Sequence, residues 1–464
     1  MSNPIDIIAS ITTIVGAENL ACDEDAKQIY GLDWTRFYSP APLCVVFPKS
    51  VEIVQALVLF AIGNRISLVP SGGRTGLSGG AVAHDGEVVV SFEKMNRILD
   101  FDPIDQVITV EPGLVTQALQ QFAEDQGLFY PVDFASAGSS QIGGNLATNA
   151  GGIKVLKYGL TRDWVVGLKV VTGAGEVLDL NRSLIKNATG YDLRHLFVGS
   201  EGTLGFIVEA SMKLTRQPDN LTVALLAVPD MTKLISVMTQ FRNHVDLTAF
   251  EFFSDQALEH VLAHSDLVHP FEVPSEYYAL IEFDQRNAGV MDAALTAFES
   301  CVEPGIAVDG VISQSEQQRK DLWRYREGIS EAITPHTPYK NDVAVRVSKV
   351  PAFLQAVDST VTSAYPEFEI VWFGHIGDGN LHLNILKPAD WPLKKFKREC
   401  ELVSEDVMKI VQSFGGSVSA EHGVGLLKRD QLKYSRSVEE IALMKSMKDV
   451  FDPAGIMNPG KLLH

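Results

Sequence analysis

The chain has 464 residues, of which 46% are hydrophobic and 21% are charged, as in folded globular proteins of roughly two or three domains. A formal net charge of −19 gives a surface that repels nucleic acid and anionic membranes, so neither is expected as a partner. The four cysteines are scattered and form no C-x-x-C metal motif. The lack of a signal-peptide pattern and of about 20 consecutive apolar residues predicts a cytoplasmic protein with no membrane span.

The first part of the sequence alternates short strands with amphipathic helices and glycine-rich loops. Apolar residues at helical spacing predict helices, and β-branched runs predict strands. These patterns predict helices over 51–62 and 114–127, strands over 66–70, 87–92, 106–113 and 205–214, and a hairpin over 164–180.

The composition changes near residue 217, where the glycine-rich pattern gives way to strands and longer helices. In this second part the patterns predict a strand followed by a helix over 221–241, a strand over 276–284, and helices over 316–333, 350–364 and 396–416. The change predicts an N-terminal domain over 1–217 and a C-terminal domain over 218–464.

Three glycine-rich loops in the N-terminal part suggest a site for a long ligand. The first, PSGGRTGLSGG at 70–80, follows a predicted strand, and its successive backbone N–H groups can form a nest for a pyrophosphate. It matches neither the nucleoside-triphosphatase pattern nor the G-x-G-x-x-G dinucleotide pattern, and a plain glycine-rich hairpin is the alternative. Similar loops at 138–152 and 189–205 favour a two-part nucleotide cofactor held by backbone groups and hydroxyls.

Two polar clusters in the C-terminal part suggest a metal site. In GHIGDGNLHLN the glycines can bend the chain so that His375 and His382 converge, and SAEHGVG later supplies Glu421 and His422. Two histidines and one carboxylate are typical ligands of a first-row divalent ion with open positions. The alternative is a pair of core histidines with ordinary hydrogen-bond partners. A phosphate loop is disfavoured because GDGN contains no basic residue.

The three glycine loops, in this order, resemble the flavin-binding domain of the vanillyl-alcohol oxidase and p-cresol methylhydroxylase flavoprotein family. The resemblance covers most of residues 40–215 and implies an α+β fold, with a two-subdomain FAD-binding domain and a C-terminal domain in which helices cover an antiparallel sheet. Some members attach the flavin covalently through a histidine in the first loop, whereas this chain has Arg74 there, so non-covalent FAD is expected. The residues that the resemblance implies for FAD binding are Pro70, Ser71, Gly72, Gly73, Arg74, Thr75, Gly76, Ser78, Pro131, Gly138, Ser139, Gly143, Gly144, Asn145, Thr148, Gly151, Gly152, Tyr158, Glu201, Gly202, Gly205, Ile207 and Asn458.

The histidine clusters resemble the C-terminal domain of the FAD-linked D-2-hydroxyacid dehydrogenases. The resemblance spans nearly the whole chain, including the tail at about 450–464, which is expected to return to the flavin. Lactate and glycolate members read L-H-P after the second histidine, whereas this chain reads L-H-L-N, and GSVSAEHGVGLLKRDQLKYS is most similar to members that act on D-2-hydroxyglutarate. The expected activity is oxidation of D-2-hydroxyglutarate, and also D-malate, to the 2-oxoacid. The alternatives are a D-lactate or glycolate dehydrogenase and a flavoprotein that has lost its chemistry.

The resemblance also implies a role for each candidate residue. His375, His382 and Glu421 would bind a divalent metal, with Zn²⁺ as the expected ion, which would assist deprotonation of the substrate hydroxyl. His422 would contact the substrate and act as the general base while a hydride passes to flavin N5. Asn384 would hydrogen-bond the substrate or the base.

A diacid substrate needs a second cation for its distal carboxylate. The helix predicted over 316–333 places Arg326 and Ser330 one turn apart on one face, and Lys340 follows in PYKND. Arg324 is the competing candidate. The resemblance further suggests an electron-transfer flavoprotein as the electron acceptor and a homodimer as the oligomeric state.

Overall fold

The structure is a computed structural model, and it describes residues 3–35 and 37–464. The helices in these residues are α1 (Pro4–Val15), α2 (Glu24–Tyr30), α3 (Val51–Asn64), α4 (Thr116–Asp125), α5 (Ile142–Thr148), α6 (Val155–Tyr158), α7 (Arg194–Phe197), α8 (Met231–His244), α9 (Asp255–His264), α10 (Ala288–Val302), α11 (Glu316–Glu327), α12 (Ile329–Ala332), α13 (Val350–Ala364), α14 (Leu393–Ser413) and α15 (Val438–Phe451). The strands are β1 (Leu20–Ala21), β2 (Cys44–Val46), β3 (Leu68–Ser71), β4 (Val88–Ser91), β5 (Ile98–Asp102), β6 (Val107–Val110), β7 (Leu128–Phe129), β8 (Val165–Thr172), β9 (Val177–Leu180), β10 (Gly205–Lys213), β11 (Thr215–Arg216), β12 (Leu221–Val228), β13 (Leu247–Ser254), β14 (Tyr277–Asp284), β15 (Asp309–Ile312), β16 (Tyr339–Ala344), β17 (Glu369–Gly374) and β18 (Asn380–Leu386).

The chain folds into two compact units that exchange segments along the sequence. The first comprises Met1–Gly151, Gly159–Gln217 and Glu421–His464, and the second comprises Gly152–Tyr158 and Pro218–Ala420. The sequence placed the return of the tail at about residue 450, whereas the segment that groups with the first unit begins at Glu421.

The first unit is built on two main sheets. In one, β2, β4 and β3 are parallel neighbours and β1 pairs antiparallel with β2; in the other, the antiparallel order is β5-β6-β10-β8-β9. All four residues of β4 are buried, as expected for a parallel strand between apolar layers. The predicted helix at 51–62 is confirmed as α3. Ser50 caps its N-terminus, because the Ser50 hydroxyl accepts from the backbone N–H of Ile53. The apolar face of α3 packs in the core with β2, β3 and β4.

The second unit is built on one seven-stranded antiparallel sheet. The strand order is β15-β12-β14-β13-β17-β18-β16. Side chains of α9, α11 and α12 form an apolar core with one face of this sheet, around Phe253, Tyr278, Trp323 and Phe373. The expected antiparallel sheet covered by helices is thereby confirmed.

The single helix predicted over 316–333 is wrong, because the structure has two helices, α11 and α12, that meet at Gly328. Glycine is a poor helix former and a common site of helix kinks. A Cβ added to Gly328 would lie 2.9 Å from the carbonyl oxygen of Arg324, so the backbone is crowded at this joint. Arg326 and Ser330 therefore belong to different helices.

Candidate functional site

One face of the seven-stranded sheet carries polar side chains where β16 and β18 lie side by side. The register pairs Lys340 with Asn384 and Asp342 with His382. Residues directly opposite each other share a face, and so do residues two apart on one strand, so all four side chains project from the same side. Asp342 and Asn384 are buried, His382 is partly buried and Lys340 is exposed.

The GHIGDGN segment is a tight turn between β17 and β18 that brings two imidazoles together. Gly379 has φ +87°, and a Cβ at this position would lie 2.0 Å from the carbonyl oxygen of Val345, so the turn requires glycine. The ring centroids of His375 and His382 are 5.4 Å apart. The glycines here bend the chain around a pair of histidines.

His375, His382 and Glu421 form a group that could hold a metal ion. Each offers one ligand atom, and these atoms lie within 4.8 Å of one another. Behind this group, Glu251 Oε1 lies 2.7 Å from Nδ1 of His375. Because an ionised carboxylate only accepts, Nδ1 is the donor, and Nε2 keeps the lone pair that a metal ion requires. This donor set suits a divalent ion such as Zn²⁺.

Glu421 follows a segment that is fixed to the same sheet. The backbone N–H of Ala420 donates to Asp342 Oδ2 at 3.1 Å, and Asp342 is the register partner of His382. The chain is therefore held beside His382 immediately before Glu421. His422 comes next and is partly buried.

Burial shifts the pKa of two groups near these residues. Desolvation raises the pKa of Asp378 to about 6, although the neighbouring His375 opposes the shift. Desolvation also lowers the pKa of the Lys340 ammonium. The Lys340 side chain is exposed, so its ammonium is accessible from solvent. An anionic group of a small ligand fits such a place.

Arg326 is buried and contacts the histidine group through two neighbours. One terminal nitrogen of its guanidinium lies 2.9 Å from Glu251 Oε2, and the guanidinium carbon lies 4.7 Å from the ring centroid of Phe373. The Phe373 ring in turn lies 5.0 Å from the ring of His382. Arg324, the competing candidate, is exposed and pairs with surface carboxylates.

Ser330 and Asn384 have environments that the sequence did not indicate. Ser330 is exposed on α12, and its carbonyl oxygen accepts from the hydroxyl of Thr334. Asn384 is 1% exposed, and its Nδ2 donates to the carbonyl oxygens of Val371 at 3.3 Å and His382 at 3.2 Å. The Asn384 amide therefore braces the strand that carries the second histidine.

Sequence reasoning missed Glu251 and Asp342. Glu251 interrupts the apolar run AFEFFS of β13, and Asp342 lies within β16 directly before the apolar residues at 343–345. A charged side chain in the interior of a buried strand must find a partner, because its burial alone is costly. That signal could have marked both residues as supports of a polar site.

The three glycine loops of the first unit come together. A Cβ added to Gly73 would lie 2.2 Å from the carbonyl oxygen of Ser139, so the first and second loops approach backbone to backbone. The backbone N–H of Glu201, in the third loop, donates to the carbonyl oxygen of Ala147 at 2.8 Å, which joins the third loop to the second.

Features of these loops fit a bound FAD. Ser71 Oγ and Gln141 Oε1 are buried and, within the described part of the chain, have no hydrogen-bond partner. No atom lies within 4 Å of a Cβ added to Gly144, so the space beside it is open. Unsatisfied buried polar atoms beside glycine backbone are completed by a polar cofactor such as FAD. Arg74, where relatives with covalent flavin have histidine, lies with its guanidinium 4.4 Å from the ring centroid of Tyr30.

Several residues expected to contact FAD support the loops themselves. Asn145 Nδ2 donates to Thr116 Oγ1 at 2.6 Å. Asn458 Nδ2 donates to the carbonyl oxygens of Gly80 at 2.9 Å and Glu201 at 2.7 Å, which ties the tail to two loops. The remaining candidates of the first unit are Pro70, Gly72, Thr75, Gly76, Ser78, Pro131, Gly138, Gly143, Thr148, Gly151, Gly202, Gly205 and Ile207.

Gly152 and Tyr158 belong to the segment that groups with the second unit. Within this segment α6 packs against β13, and Lys154 lies 3.5 Å from the buried carboxylate of Glu282. Desolvation raises the pKa of Tyr158. No pattern in the sequence indicated this exchange, because the segment simply continues a glycine loop.

Comparison with models of protein families identifies two matches. Residues 217–462 match the C-terminal domain of FAD linked oxidases. Residues 42–181 match a FAD binding domain.

Relatives of known name align with essentially the whole chain. A D-2-hydroxyglutarate dehydrogenase from Stutzerimonas stutzeri is 58% identical over 100% of this chain and 99% of the relative. Another, from Xanthomonas citri pv. viticola, is 52% identical over 98% of this chain and 96% of the relative. Among solved structures, p-cresol methylhydroxylase with substrate bound has a TM-score of 0.78 at 15% identity, with coverage of 99% and 96%, which shows a shared fold. Across residues 3–35 and 37–464, no helix combines the length and the apolar character needed to cross a membrane.

Proposed function

The chain belongs to the FAD-linked oxidases, and from this premise we propose that it is a flavin-dependent dehydrogenase that oxidises D-2-hydroxyglutarate to the 2-oxoacid, with D-malate as a second substrate. The observation that carries the proposal is the group formed by His375, His382 and Glu421, because His382 projects from the same sheet face as the cation of Lys340. A 2-hydroxydiacid has the two features that such a site can recognise, a hydroxyl beside one carboxylate and a second carboxylate. Relatives that align end to end with this chain and are named for D-2-hydroxyglutarate support the choice.

The two proposed groups, FAD and a divalent metal ion, have separate residues to hold them. The three glycine loops of the first unit, with Ser71 and Gln141, would hold non-covalent FAD. His375 through Nε2, His382 and Glu421 would hold the metal, with Zn²⁺ as the preferred ion. When bound, FAD supplies a hydride acceptor at N5 and the metal supplies a Lewis acid that makes an alcohol more acidic.

His422 is the proposed general base. It follows Glu421 directly, and an imidazole nitrogen is a group that can accept the hydroxyl proton. His422 would take the hydroxyl proton, and FAD, held by the glycine loops of the first unit, would supply the acceptor for the C2 hydride.

Lys340 and Arg326 are the proposed cations for the substrate carboxylates. Lys340 is open to solvent on the sheet face that carries His382, so its cation is accessible to a substrate carboxylate. Arg326 lies deeper, and its Nε has no hydrogen-bond partner among the described residues. Ser330 at the start of α12 and Asn384 would complete the substrate contacts.

The wider context of the enzyme is also proposed. The first unit would be the FAD-binding domain, with the returning tail, and the second would be the substrate- and metal-binding cap. An electron-transfer flavoprotein would reoxidise the reduced flavin, the chain would form a homodimer, and it would work in the cytoplasm.

The test is an anaerobic screen of D-2-hydroxyacids, read by loss of the oxidised-flavin absorbance. D-2-hydroxyglutarate should bleach the flavin fastest, D-malate more slowly and D-lactate least. Equal or faster bleaching by D-lactate would replace the proposal with a lactate dehydrogenase. No bleaching by any hydroxyacid would indicate a flavoprotein without this chemistry. Acid denaturation should release all the flavin, and colour that stays on the chain would contradict non-covalent binding.

A further inference from the structure

Glu251 contacts both a proposed metal ligand and a proposed substrate cation. Its carboxylate is 1% exposed, Oε1 lies 2.7 Å from His375 Nδ1, and Oε2 lies 2.9 Å from a terminal nitrogen of Arg326. The two oxygens of one buried group therefore face two different functional side chains. The two contacts come from distant parts of the chain, since Arg326 lies in α11 and His375 directly follows β17.

We propose that Glu251 is a positioning residue that fixes the metal-binding tautomer of His375 and, through its second oxygen, holds Arg326 in place beside it. This role rests on the proposed function. It assigns to Glu251 neither contact with the substrate nor a proton transfer.

The effect on His375 follows from hydrogen-bond chemistry. A carboxylate that accepts from Nδ1–H keeps the proton on that nitrogen, orients the ring and makes Nε2 a better metal ligand. His375 sits in a turn and not within a strand, so the backbone alone leaves its ring free to rotate. Glu251 lies in the middle of β13, which is hydrogen-bonded on both sides by β14 and β17, so it offers a rigid anchor.

The effect on Arg326 follows from charge and packing. A buried guanidinium needs a compensating anion, and Glu251 is the carboxylate placed against it. The ring of Phe373 supports the guanidinium from another direction at 4.7 Å. Glu251 and Phe373 thus restrict the orientation of the Arg326 guanidinium. Because Glu251 also contacts His375, it links the position of Arg326 to that of His375.

The test measures metal affinity without substrate. Glu251→Gln keeps the shape of the side chain but has only one acceptor oxygen and no charge. Metal-free protein that still carries FAD is titrated with Zn²⁺ in competition with a chromophoric chelator. The variant should bind Zn²⁺ about 10- to 100-fold more weakly than the parent. Its KM for D-2-hydroxyglutarate should rise as well, because Arg326 loses its anchor.

Glu282→Gln is the matched control. Glu282 is also 1% exposed and projects from the neighbouring strand β14, but its carboxylate accepts from Thr248 and Trp323. A general effect of removing a buried charge would weaken metal binding in both variants and would overturn the proposal. Retained affinity in Glu282→Gln together with the loss in Glu251→Gln supports it.

A second variant keeps the test valid if Glu251→Gln alone does not fold. Glu251→Gln combined with Arg326→Met removes both buried charges, so neither is left uncompensated. This double variant should fold and should still bind Zn²⁺ at least tenfold more weakly than Arg326→Met alone. Equal affinities would overturn the role of Glu251 and leave the proposed dehydrogenase function intact. A parent protein that binds no divalent ion would overturn both this role and the metal site, while the flavin-bleaching screen would still judge the dehydrogenase activity.

Discussion

The carboxylate of Glu201 accepts a hydrogen bond of 2.7 Å from the backbone N–H of Gly425, 224 residues later in the chain. Its other oxygen accepts from the N–H of Val424 at 2.7 Å. Burial raises the pKa of Glu201, and the two N–H groups oppose that shift. The glycine loop proposed to close over the flavin is therefore fastened to the segment that follows the proposed general base, His422.

Replacement of Glu201 by alanine should loosen this junction. The buried N–H of Gly425 and the partly buried N–H of Val424 would lose their acceptor. A buried unsatisfied group costs about 1–3 kcal/mol and a partly exposed one less, so the free energy of unfolding should fall by roughly 2–4 kcal/mol. Denaturant titration of the FAD-loaded protein measures the change. Glu209→Ala is the control, because Glu209 forms a partly exposed ion pair with Lys169. Loss of such a pair should lower the free energy of unfolding by about 1 kcal/mol or less. Similar losses in the two variants would contradict a special role for Glu201.

Two glycines in the FAD loops should respond differently to an added methyl group. Gly144→Ala meets no protein atom within 4 Å, so the apoprotein should fold normally, whereas the methyl group should reach into the proposed cofactor site and weaken FAD binding at least tenfold. Gly73→Ala would place its Cβ 2.2 Å from the carbonyl oxygen of Ser139 and should disturb the fold of the apoprotein itself. Fluorescence titration with FAD and thermal unfolding separate the two effects. Unchanged FAD affinity in Gly144→Ala would place the cofactor elsewhere.

Arg326→Ala should act on the diacid and not on the monoacid. Loss of a charge-assisted contact to the second carboxylate is worth about 1.5–3 kcal/mol, so the KM for D-2-hydroxyglutarate should rise roughly 10- to 100-fold while that for D-lactate changes little. Arg324→Ala is the control, since Arg324 is exposed and pairs with Asp266 and Asp321 at the surface. Steady-state kinetics with both substrates provide the comparison. An equal rise for both acids would contradict a diacid-specific role for Arg326.

The sequence indicated a flavin-binding part followed by a C-terminal part, and it indicated the candidate triad of His375, His382 and Glu421, because both depend on local patterns. Glycines on both sides of Asp378 permit a turn, and the polar residues around the turn mark it as a site. The pairing of Glu251 with His375 could not be read in the same way, because it depends on which strands are neighbours in the sheet. Strand order is a property of the whole fold and leaves no mark at either residue.

The predicted shared helix face of Arg326 and Ser330 was wrong for a related reason. A spacing of four predicts a shared helix face only while the helix continues, and Gly328 between them ends α11. The glycine was visible in the sequence, but a single glycine is often tolerated within a helix, so tertiary packing decided the outcome. The sequence also gives no local pattern for the grouping of residues 152–158 with the second unit. Lys154 in this segment contacts Glu282, which lies 128 positions later, and such a long-range contact leaves no mark in the nearby sequence.

Removal of the metal should stop turnover while the flavin stays bound. Prolonged dialysis against a chelator should abolish oxidation of D-2-hydroxyglutarate without changing the flavin spectrum, and Zn²⁺ should restore it. His382→Gln should lose stoichiometric metal in elemental analysis. His260→Gln is the control, because His260 also pairs with a carboxylate, Glu369 at 2.7 Å, but lies outside the triad. Full activity in a metal-free preparation would contradict the role of the metal.

Lys461 should make stability depend on pH in the alkaline range. Its ammonium is 1% exposed and has no hydrogen-bond partner among the described residues, while Glu87 lies 3.9 Å away. Desolvation lowers its pKa from 10.5 to about 8. Between these two pH values the unfolded chain keeps the proton that the folded chain has lost, so the free energy of unfolding rises with pH across this window. Below the window both states hold the proton, and this group makes no contribution to the pH dependence.

Lys461→Met should remove that dependence. The difference in unfolding free energy, parent minus variant, should therefore increase from pH 8 to pH 10.5 by an amount on the order of a few kcal/mol, since each unit of pKa shift corresponds to about 1.4 kcal/mol. At neutral pH the variant should be at least as stable as the parent, because it avoids the desolvation of a buried cation. Lys448→Met is the contrasting control. Lys448 donates to Asp452 and to the carbonyl oxygens of Thr203 and Met457, so its replacement should lower stability at neutral pH. Denaturant titrations at several pH values give the comparison, and a difference between parent and Lys461→Met that does not vary with pH would contradict a buried ammonium at this position.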